Sequence, residues 1–351
     1  VSGVPPLPFV TAEIPGSGGS LKATPEDFRV DEIPAYVPCG EGPHLYLQIQ
    51  KRGRTTRDVV RELARQLAVA ERDVGVAGLK DRHAVTVQWL SFPVAKSPDP
   101  ASLVGEGWRV VAASRHGNKL RTGHSRGNRF SIVVRGGDPA LARTAAHALA
   151  VRGLPNFFGS QRFGVEGRNA DLGRAILSGS PDPEARRASR DRFLRRLVLS
   201  AWQSLLFNRW LAERMADGLF ARALAGDAMK KLDSGGVFTC EDPAADQPRV
   251  ERFEISPAGP MFGHALPPLA GEAGEREARI LAQDGLSAAD LARGGGETEG
   301  TRRAARIPVA VELEDVDGGY RASFDLPRGS YATVVMGELT KSGAELDEAG
   351  D

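Results

Sequence analysis

The stretch Ala77–Trp89, "AGLKDRHAVTVQW", joins two strand-like runs and sets one carboxylate, Asp81, between two cations, Lys80 and Arg82. Upstream, "VGVAGLKD" (74–81) reads as a short apolar strand ending at Gly78. Downstream, "AVTVQWLSFPV" (84–94) reads as another. Two readings of Asp81 stand side by side: the salt-bridged tip of a surface turn, or an acid held ionised for chemistry. In an extended segment the residues on either side both point away from the face of Asp81. Its cation therefore comes from a turn that aims Lys80 or Arg82 inward, or from elsewhere in the chain.

Outward from this seam the pattern stays mixed. "LKATPEDFRVDEIP" (21–34) is a turn leading into a strand, with Phe28 and Val30 alternating against charges, and "HLYLQIQKRG" (44–53) alternates likewise. From Thr55 the period changes, with Val59, Val60, Leu63 and Leu67 at helical spacing behind a threonine cap. "NRFSIVVRG" (128–136) is a third clear strand. With no steady βαβ rhythm, the pattern favours an α+β fold over a doubly wound sheet.

After Pro155 the composition shifts. "NFFGSQRFG" (156–164) is loop-like, and "RDRFLRRLVLSAWQSLLFNRWLAERMADG" (190–218) carries a helical apolar stripe from Phe193 through Leu211. A poorly patterned region ends in the Gly-rich "ARGGGETEGTRRAARIP" (292–308). Beta pattern returns at "VAVELEDVDGGYRASFDL" (309–326) and "SYATVVMGEL" (330–339). Strand-rich ends around a distinct middle predict a discontinuous catalytic domain, 21–154 with 307–341, interrupted by an insertion at 155–306. Residues 1–20 read as a flexible lead-in and 342–351 as a frayed acidic tail.

Composition narrows the chemistry. The chain has 351 residues, 41% hydrophobic and 26% charged, with a formal net charge of +1. That is a soluble globular profile whose global charge does not announce a nucleic-acid partner. Cys39 and Cys240 form no C-x-x-C, which argues against structural zinc and a disulfide scaffold and fits a reducing cytoplasm. No apolar run approaches the roughly 18 residues of a membrane span. The N-terminal residues lack the pattern of a signal peptide. P-loop, dinucleotide, H-E-x-x-H and G-x-S-x-G motifs are missing, and the six histidines lack metal-ligand spacing. An enzyme built on this chain works mainly with carboxylates.

Local charge is more informative. Between Gly105 and Arg135 seven Lys or Arg, with His116 and His124, face the single acid Glu106, and Trp108 and Phe130 lie among them. A basic strip with aromatics suits a phosphate backbone and exposed bases, although an Arg-rich chain also carries solvated basic faces. A second basic cluster, Arg186 to Arg196, is interleaved with the helical stripe and reads as its wet side.

The motifs "LKATPEDF", "AGLKDRHAVTVQW", "RGNRF", "NFFGSQRFG" and "LPRGSYATVVMGEL" together resemble the signatures of the TruD family of tRNA pseudouridine synthases, over about Leu21 to Leu339. The resemblance implies a pseudouridine synthase core, with a mixed and mainly antiparallel sheet, interrupted by an α+β TRUD domain. It implies isomerisation of uridine 13 in certain tRNAs, without cofactor or metal. A cytoplasmic protein is expected, as a monomer, with a dimer left open. The family's catalytic aspartate maps onto Asp81. Phe28, Asn128 and Tyr331 fall where the family contacts the target nucleotide. An Asn amide can donate and accept on the uracil edge, and an aromatic face can offset the unstacking of a flipped base. Phe130 has the chemistry to stack near the site, although strand periodicity alone would bury it. Lys22 could neutralise a phosphate, and Lys80 is a candidate partner in the pocket. Arg162 could meet phosphate or a carboxylate, or act in a hinge. Phe157 stands where relatives often carry Tyr, and Tyr331 where some carry Phe. A non-catalytic RNA-binding module and a nucleoside glycosidase are the competing functions.

Overall fold

The structure is a computed structural model that describes residues 6–342; the acidic tail lies, from residue 343 onward, outside the described residues. In chain order the first elements are β1 (Ser20–Leu21), β2 (Phe28–Pro34), β3 (His44–Arg52), α1 (Thr56–Gln66), β4 (Gly75–Val76), β5 (Val85–Phe92), β6 (Trp108–His116), β7 (Ser125–Arg135) and α2 (Pro139–Arg152). Helix α1 begins where the sequence places it. The Thr55 hydroxyl accepts from the Asp58 N–H at 3.1 Å while the Asp58 carboxylate accepts from Thr55, a reciprocal cap contributing about 1 kcal/mol. Its Val59, Leu63 and Ala64 bury against Leu47, Ile49, Leu90 and Trp108.

The middle of the chain adds β8 (Leu154–Pro155), α3 (Arg168–Ser178), α4 (Pro183–Arg190), α5 (Arg192–Ala216), β9 (Ala228–Lys231), β10 (Val237–Thr239), α6 (Pro243–Glu251), β11 (Ile255–Met261), α7 (Gly271–Gln283), α8 (Ala288–Leu291), β12 (Thr301–Ala304) and β13 (Arg306–Ile307). The return supplies β14 (Glu312–Val316), β15 (Gly319–Pro327) and α9 (Ala332–Thr340). The fold is α+β, and among the described residues it divides into two compact units: 14–147 with 309–332 and from 339 on, and 6–13 with 148–308 and 333–338.

The first unit is built on one sheet in the order β14-β15-β7-β2-β5-β3-β6, with β1 on β7 and β4 on β5. Every pairing is antiparallel except β2 with β5. The registers Val30↔Phe130, Phe324↔Phe130, Val30↔Thr86 and Lys51↔Thr86 fix which residues share a face. Cross-strand partners point the same way and the side-chain period is two. Phe28, Val30, Phe130, Ile132, Ile49, Leu47, Leu90 and Phe324 therefore line one buried face, and Glu32, Asn128, Thr86, Gln88 and Lys51 lie in phase with them. Part of the opposite face is polar, with exposed ion pairs such as Arg29–Asp31 and Arg129–Asp325, while Tyr46 on that face is buried in a smaller cluster with Ala77 and Leu120.

The second unit has a sheet in the order β10-β9-β11-β12 and a helical set around α5. The region that looked unpatterned hides β11, "ISPAGPM", which is buried along its whole length. Its two prolines and one glycine lower any strand propensity. The glycine is required because a Cβ at Gly259 would come within 2.3 Å of the Trp210 ring of α5. Within the second unit β8 and β13 pair directly, Pro155 opposite Arg306 and Leu154 opposite Ile307.

Three expectations need correction. "SYATVVMGEL" is helical: α9 buries Val335, Met336 and Leu339, a helical spacing that tertiary burial imposes over the strand preference of Thr333 and the two valines. The strand "VGVAGLKD" stops at Val76, because the backbone of residues 78–81 bonds side chains rather than a neighbouring strand. The lead-in is packed, not loose, over its described residues. Val10 N–H and the Thr11 hydroxyl donate to the buried Glu338 carboxylate at 2.7 and 2.5 Å, and in the first unit Ser17 Oγ meets Tyr320 OH at 2.7 Å. Its glycines serve close approach: Gly19 has φ +91°, and a Cβ there would lie 2.6 Å from Val134.

Candidate active site

Asp81 lies on the loop between β4 and β5, and the sheet face beneath it pins that loop from below. Lys51, at the end of β3 and only 2% exposed, donates from one ammonium to three carbonyls: Arg54 at 2.8 Å, Lys80 at 3.0 Å and Asp81 at 2.7 Å. The Thr56 hydroxyl, in the first turn of α1, accepts from the Lys80 N–H at 3.0 Å and donates to Gln88 Oε1 at 2.8 Å. The Gln88 amide in turn donates to the Gly78 carbonyl at 3.1 Å. The backbone polar groups of this irregular turn are thus paired with buried side chains, as burial demands.

The Asp81 carboxylate has its own partners. Oδ1 accepts from the His83 N–H at 2.8 Å, and Oδ2 meets the Lys22 ammonium at 3.2 Å, both side chains being about nine-tenths buried. Lys22 reaches it from a backbone with φ +57°, a left-handed conformation that costs a residue with a Cβ about 1–2 kcal/mol. The same ammonium lies 4.6 Å over the Phe28 ring, a cation–π contact that fixes its position further. The cation therefore comes from elsewhere in the chain. Lys80 and Arg82, the neighbours in sequence, are both turned elsewhere, with Arg82 exposed.

Lys80 instead runs inward. Its ammonium donates to Asn128 Oδ1 at 2.9 Å and lies 3.3 Å from Glu32 Oε2, close enough for strong attraction but not aligned as a hydrogen bond. Burial pushes the Glu32 carboxyl up from its usual range, opposed by the Lys80 charge and by the Trp89 N–H. A lysine only donates, so the atom of Asn128 facing it is the carbonyl oxygen. The amide nitrogen is left as the donor.

Two aromatic candidates are packed into the sheet. Phe28 is 1% exposed and meets Phe130 edge-on with ring centroids 6.3 Å apart. Phe130 in turn stacks on Phe324 at 5.4 Å. Tyr331 is half-buried just before α9, four residues beyond Pro327. Pro327 pairs with Gly127 and Leu326 with Asn128, so the chain carrying Tyr331 departs from the Asn128 end of the sheet. In the second unit, Arg162 donates to the hydroxyls of Ser200 and Ser204 on α5. "NFFGSQRFG" is tied by Asn156 to the Ala304 and Ala305 carbonyls and by Phe158 to Asn208. Much of the basic strip is committed to structure: Arg115 bonds Gly42 and Val94 carbonyls, Arg129 pairs Asp325, and Arg135 pairs Asp27.

Lys51, Thr56, Glu32 and Gln88 were not singled out from the sequence. A signal was present: each of the three strand residues is polar at an apolar phase of its strand. Lys51 follows Leu45, Leu47 and Ile49 at period two, and Glu32 follows Phe28 and Val30. No helix among the described residues is long and apolar enough to cross a membrane.

Comparison with known proteins gives the same address for this arrangement. The chain matches the family described as tRNA pseudouridine synthase D (TruD) over residues 7–188 and 184–339. It is 73% identical over 345 residues to the tRNA pseudouridine synthase D of Anaeromyxobacter dehalogenans, covering 98% of this chain and 99% of that one. It is 44% identical over 344 residues to that of Thermus thermophilus, covering 95% and 92%. The crystal structure of a candidate tRNA pseudouridine synthase D from Methanosarcina mazei superposes with a TM-score of 0.76 at 25% identity, covering 97% of each chain. A carboxylate pinned on a sheet-supported loop, in a chain matched end to end at these identities, leaves no other assignment: it belongs to the tRNA pseudouridine synthase D (TruD) family.

Proposed function

We propose that this chain converts a uridine of tRNA, at position 13, into pseudouridine, with Asp81 as the reacting group. The observation that carries the reading is the partly buried Asp81–Lys22 pair at 3.2 Å on a loop whose carbonyls are held by Lys51. The reaction breaks the bond from N1 of uracil to the ribose anomeric carbon, turns the base, and joins the anomeric carbon to C5. The hydrogen on C5 leaves to solvent as a proton and N1 takes one up, so the composition is unchanged. The carboxylate can attack the anomeric carbon, add to C6, or remove a ribose proton to drive elimination. All three routes start from the anion, which is the form that pairs with Lys22.

Asn128 would read the uracil edge through its amide nitrogen, since Lys80 occupies its oxygen, and the matching group is a uracil carbonyl. Phe28 packs beneath Lys22 and against Phe130, and Tyr331, half-buried, is the ring proposed to contact the flipped base. We assign the catalytic domain to 21–154 and 307–341 and the insertion to 155–306; the compact units divide close by, at 147/148 and 308/309. We propose a cytoplasmic monomer. An isomerisation with no net redox change calls for no cofactor.

The test is tritium release from tRNA labelled at C5 of uridine. One tritium per tRNA with no free uracil is the expected result. Release of uracil would make the chain a glycosidase, and binding without release an RNA-binding protein. A second expectation concerns Lys51, which touches the loop and not the substrate. Lys51→Met should lower kcat by roughly a hundredfold, the scale of a reacting group misplaced by about 1 Å, with KM for tRNA little changed. A loss confined to KM would show that Lys51 does not position Asp81.

A further inference from the structure

Resting on tRNA as the substrate, we propose that the outer surface of α4 and the first turns of α5 is a docking site for the tRNA backbone, separate from the residues around Asp81. Five arginines lie there within one short run: Arg186, Arg187, Arg190, Arg192 and Arg196 are all exposed. None of them makes an ion pair among the described residues, whereas other arginines of the same unit do, Arg195 of the same run among them. Arg168 pairs with Glu184, Arg209 with Asp284, Arg195 with Glu297, Arg214 with Asp227 and Arg276 with Asp217. The one acid in the run, Asp191, is committed to capping α5, accepting from the Phe193 and Leu194 N–H groups at 2.8 and 3.0 Å.

This concentration of charge works against the fold. Arg186 with Arg190, and Arg192 with Arg196, are like-charge neighbours four residues apart on their helices, and Arg192 opens α5 at the positive end of its dipole. Packing does not require these side chains. The inward side of α4 is Ala185 and Ala188, packed with Leu172 and Val198. A solvated face would interleave acids, as the polar face of the first unit's sheet does.

Two further features give the site the character of a nucleic-acid surface. Phe193 is 62% exposed beside these arginines, a ring on which an unpaired base can stack. Pro183, Arg186, Arg187, Arg190 and Asp191 line a shallow depression largely open to solvent, so that a phosphate backbone can reach the arginines. The contact is with backbone and one base face, so it is not sequence-specific. It would add affinity for tRNA as a whole without taking part in bond breaking.

The test compares wild type with Arg186→Gln/Arg190→Gln/Arg196→Gln and, separately, Phe193→Ser, using full-length tRNA at several salt concentrations. All four residues are exposed, and circular dichroism checks the fold. The triple variant should bind tRNA at least about tenfold more weakly, with the slope of log affinity against log salt shallower by about two to three, one released counterion per lost contact. The rate at saturating tRNA should stay within about twofold. Phe193→Ser should weaken binding about fivefold or more, the scale of one stacked base, with an unchanged slope. Unchanged affinity and slope in a folded triple variant would overturn the proposal, as would binding to anionic vesicles lost in that variant while tRNA affinity stays intact. Wild type that turns over tRNA while the variants bind normally sinks only this site. Wild type that releases no tritium sinks the catalytic reading instead.

Discussion

Asp81→Asn is expected to lower tritium release from labelled tRNA by at least about a thousandfold, while the affinity for tRNA stays within a few-fold. The substitution keeps the shape, and the Asn oxygen can still accept from the His83 N–H. It removes the negative charge that all three chemical routes need and leaves Lys22 facing a neutral amide. The loop should hold, because its backbone is anchored by Lys51, Thr56 and Gln88 rather than by the carboxylate. A single-turnover assay with saturating enzyme separates the chemical step from binding. Residual activity above about a tenth of wild type would remove Asp81 from the reaction. The same loss for Lys22→Met would point to the ion pair, rather than the carboxylate alone, as the working unit.

The largest effect on stability is expected at Arg214, in the second unit. Near the end of α5, it is 1% exposed and grips Asp227 with two nitrogens, at 2.6 and 3.0 Å, while donating to the Leu219 and Arg222 carbonyls. Its guanidinium also lies 5.6 Å from the centre of the Trp210 ring. Arg214→Met should destabilise the protein by about 3–5 kcal/mol, because it strands a buried carboxylate and two carbonyls together. Urea unfolding monitored by tryptophan fluorescence would report it. Arg214→Met/Asp227→Leu should recover part of the loss, since replacing both charges by apolar groups removes the desolvation penalty. A single-variant effect under about 1 kcal/mol would mean that solvent reaches the pair.

Local order made much of the fold legible. The capping box at Thr55, the alternation of β2, β3 and β7, and the stripe of α5 from Val198 to Leu211 are written in neighbouring residues, whereas Phe193 and Leu194, at the start of the expected stripe, are exposed. The misses share a cause. In α9 burial of Val335, Met336 and Leu339 outweighed strand propensity. In β11 a glycine sits in a strand because a Cβ at Gly259 would meet the Trp210 ring. Gly19 of the lead-in looked like part of a linker because its value lies in its close approach to Val134 of β7, more than a hundred residues away.

The site divides along the same line. The amino-acid sequence by itself determined the kind of chemistry: one carboxylate in a turn between strands, an amide and aromatics at strand phases, and motifs that carry a family resemblance. Only the tertiary structure decided which cation serves Asp81, because that cation comes from 59 residues away and through a strained backbone. It also decided that Lys80 turns to Asn128, and that Lys51 holds the loop. Those choices follow from strand register, which sets which face each side chain takes, and register is a property of paired strands rather than of any one segment.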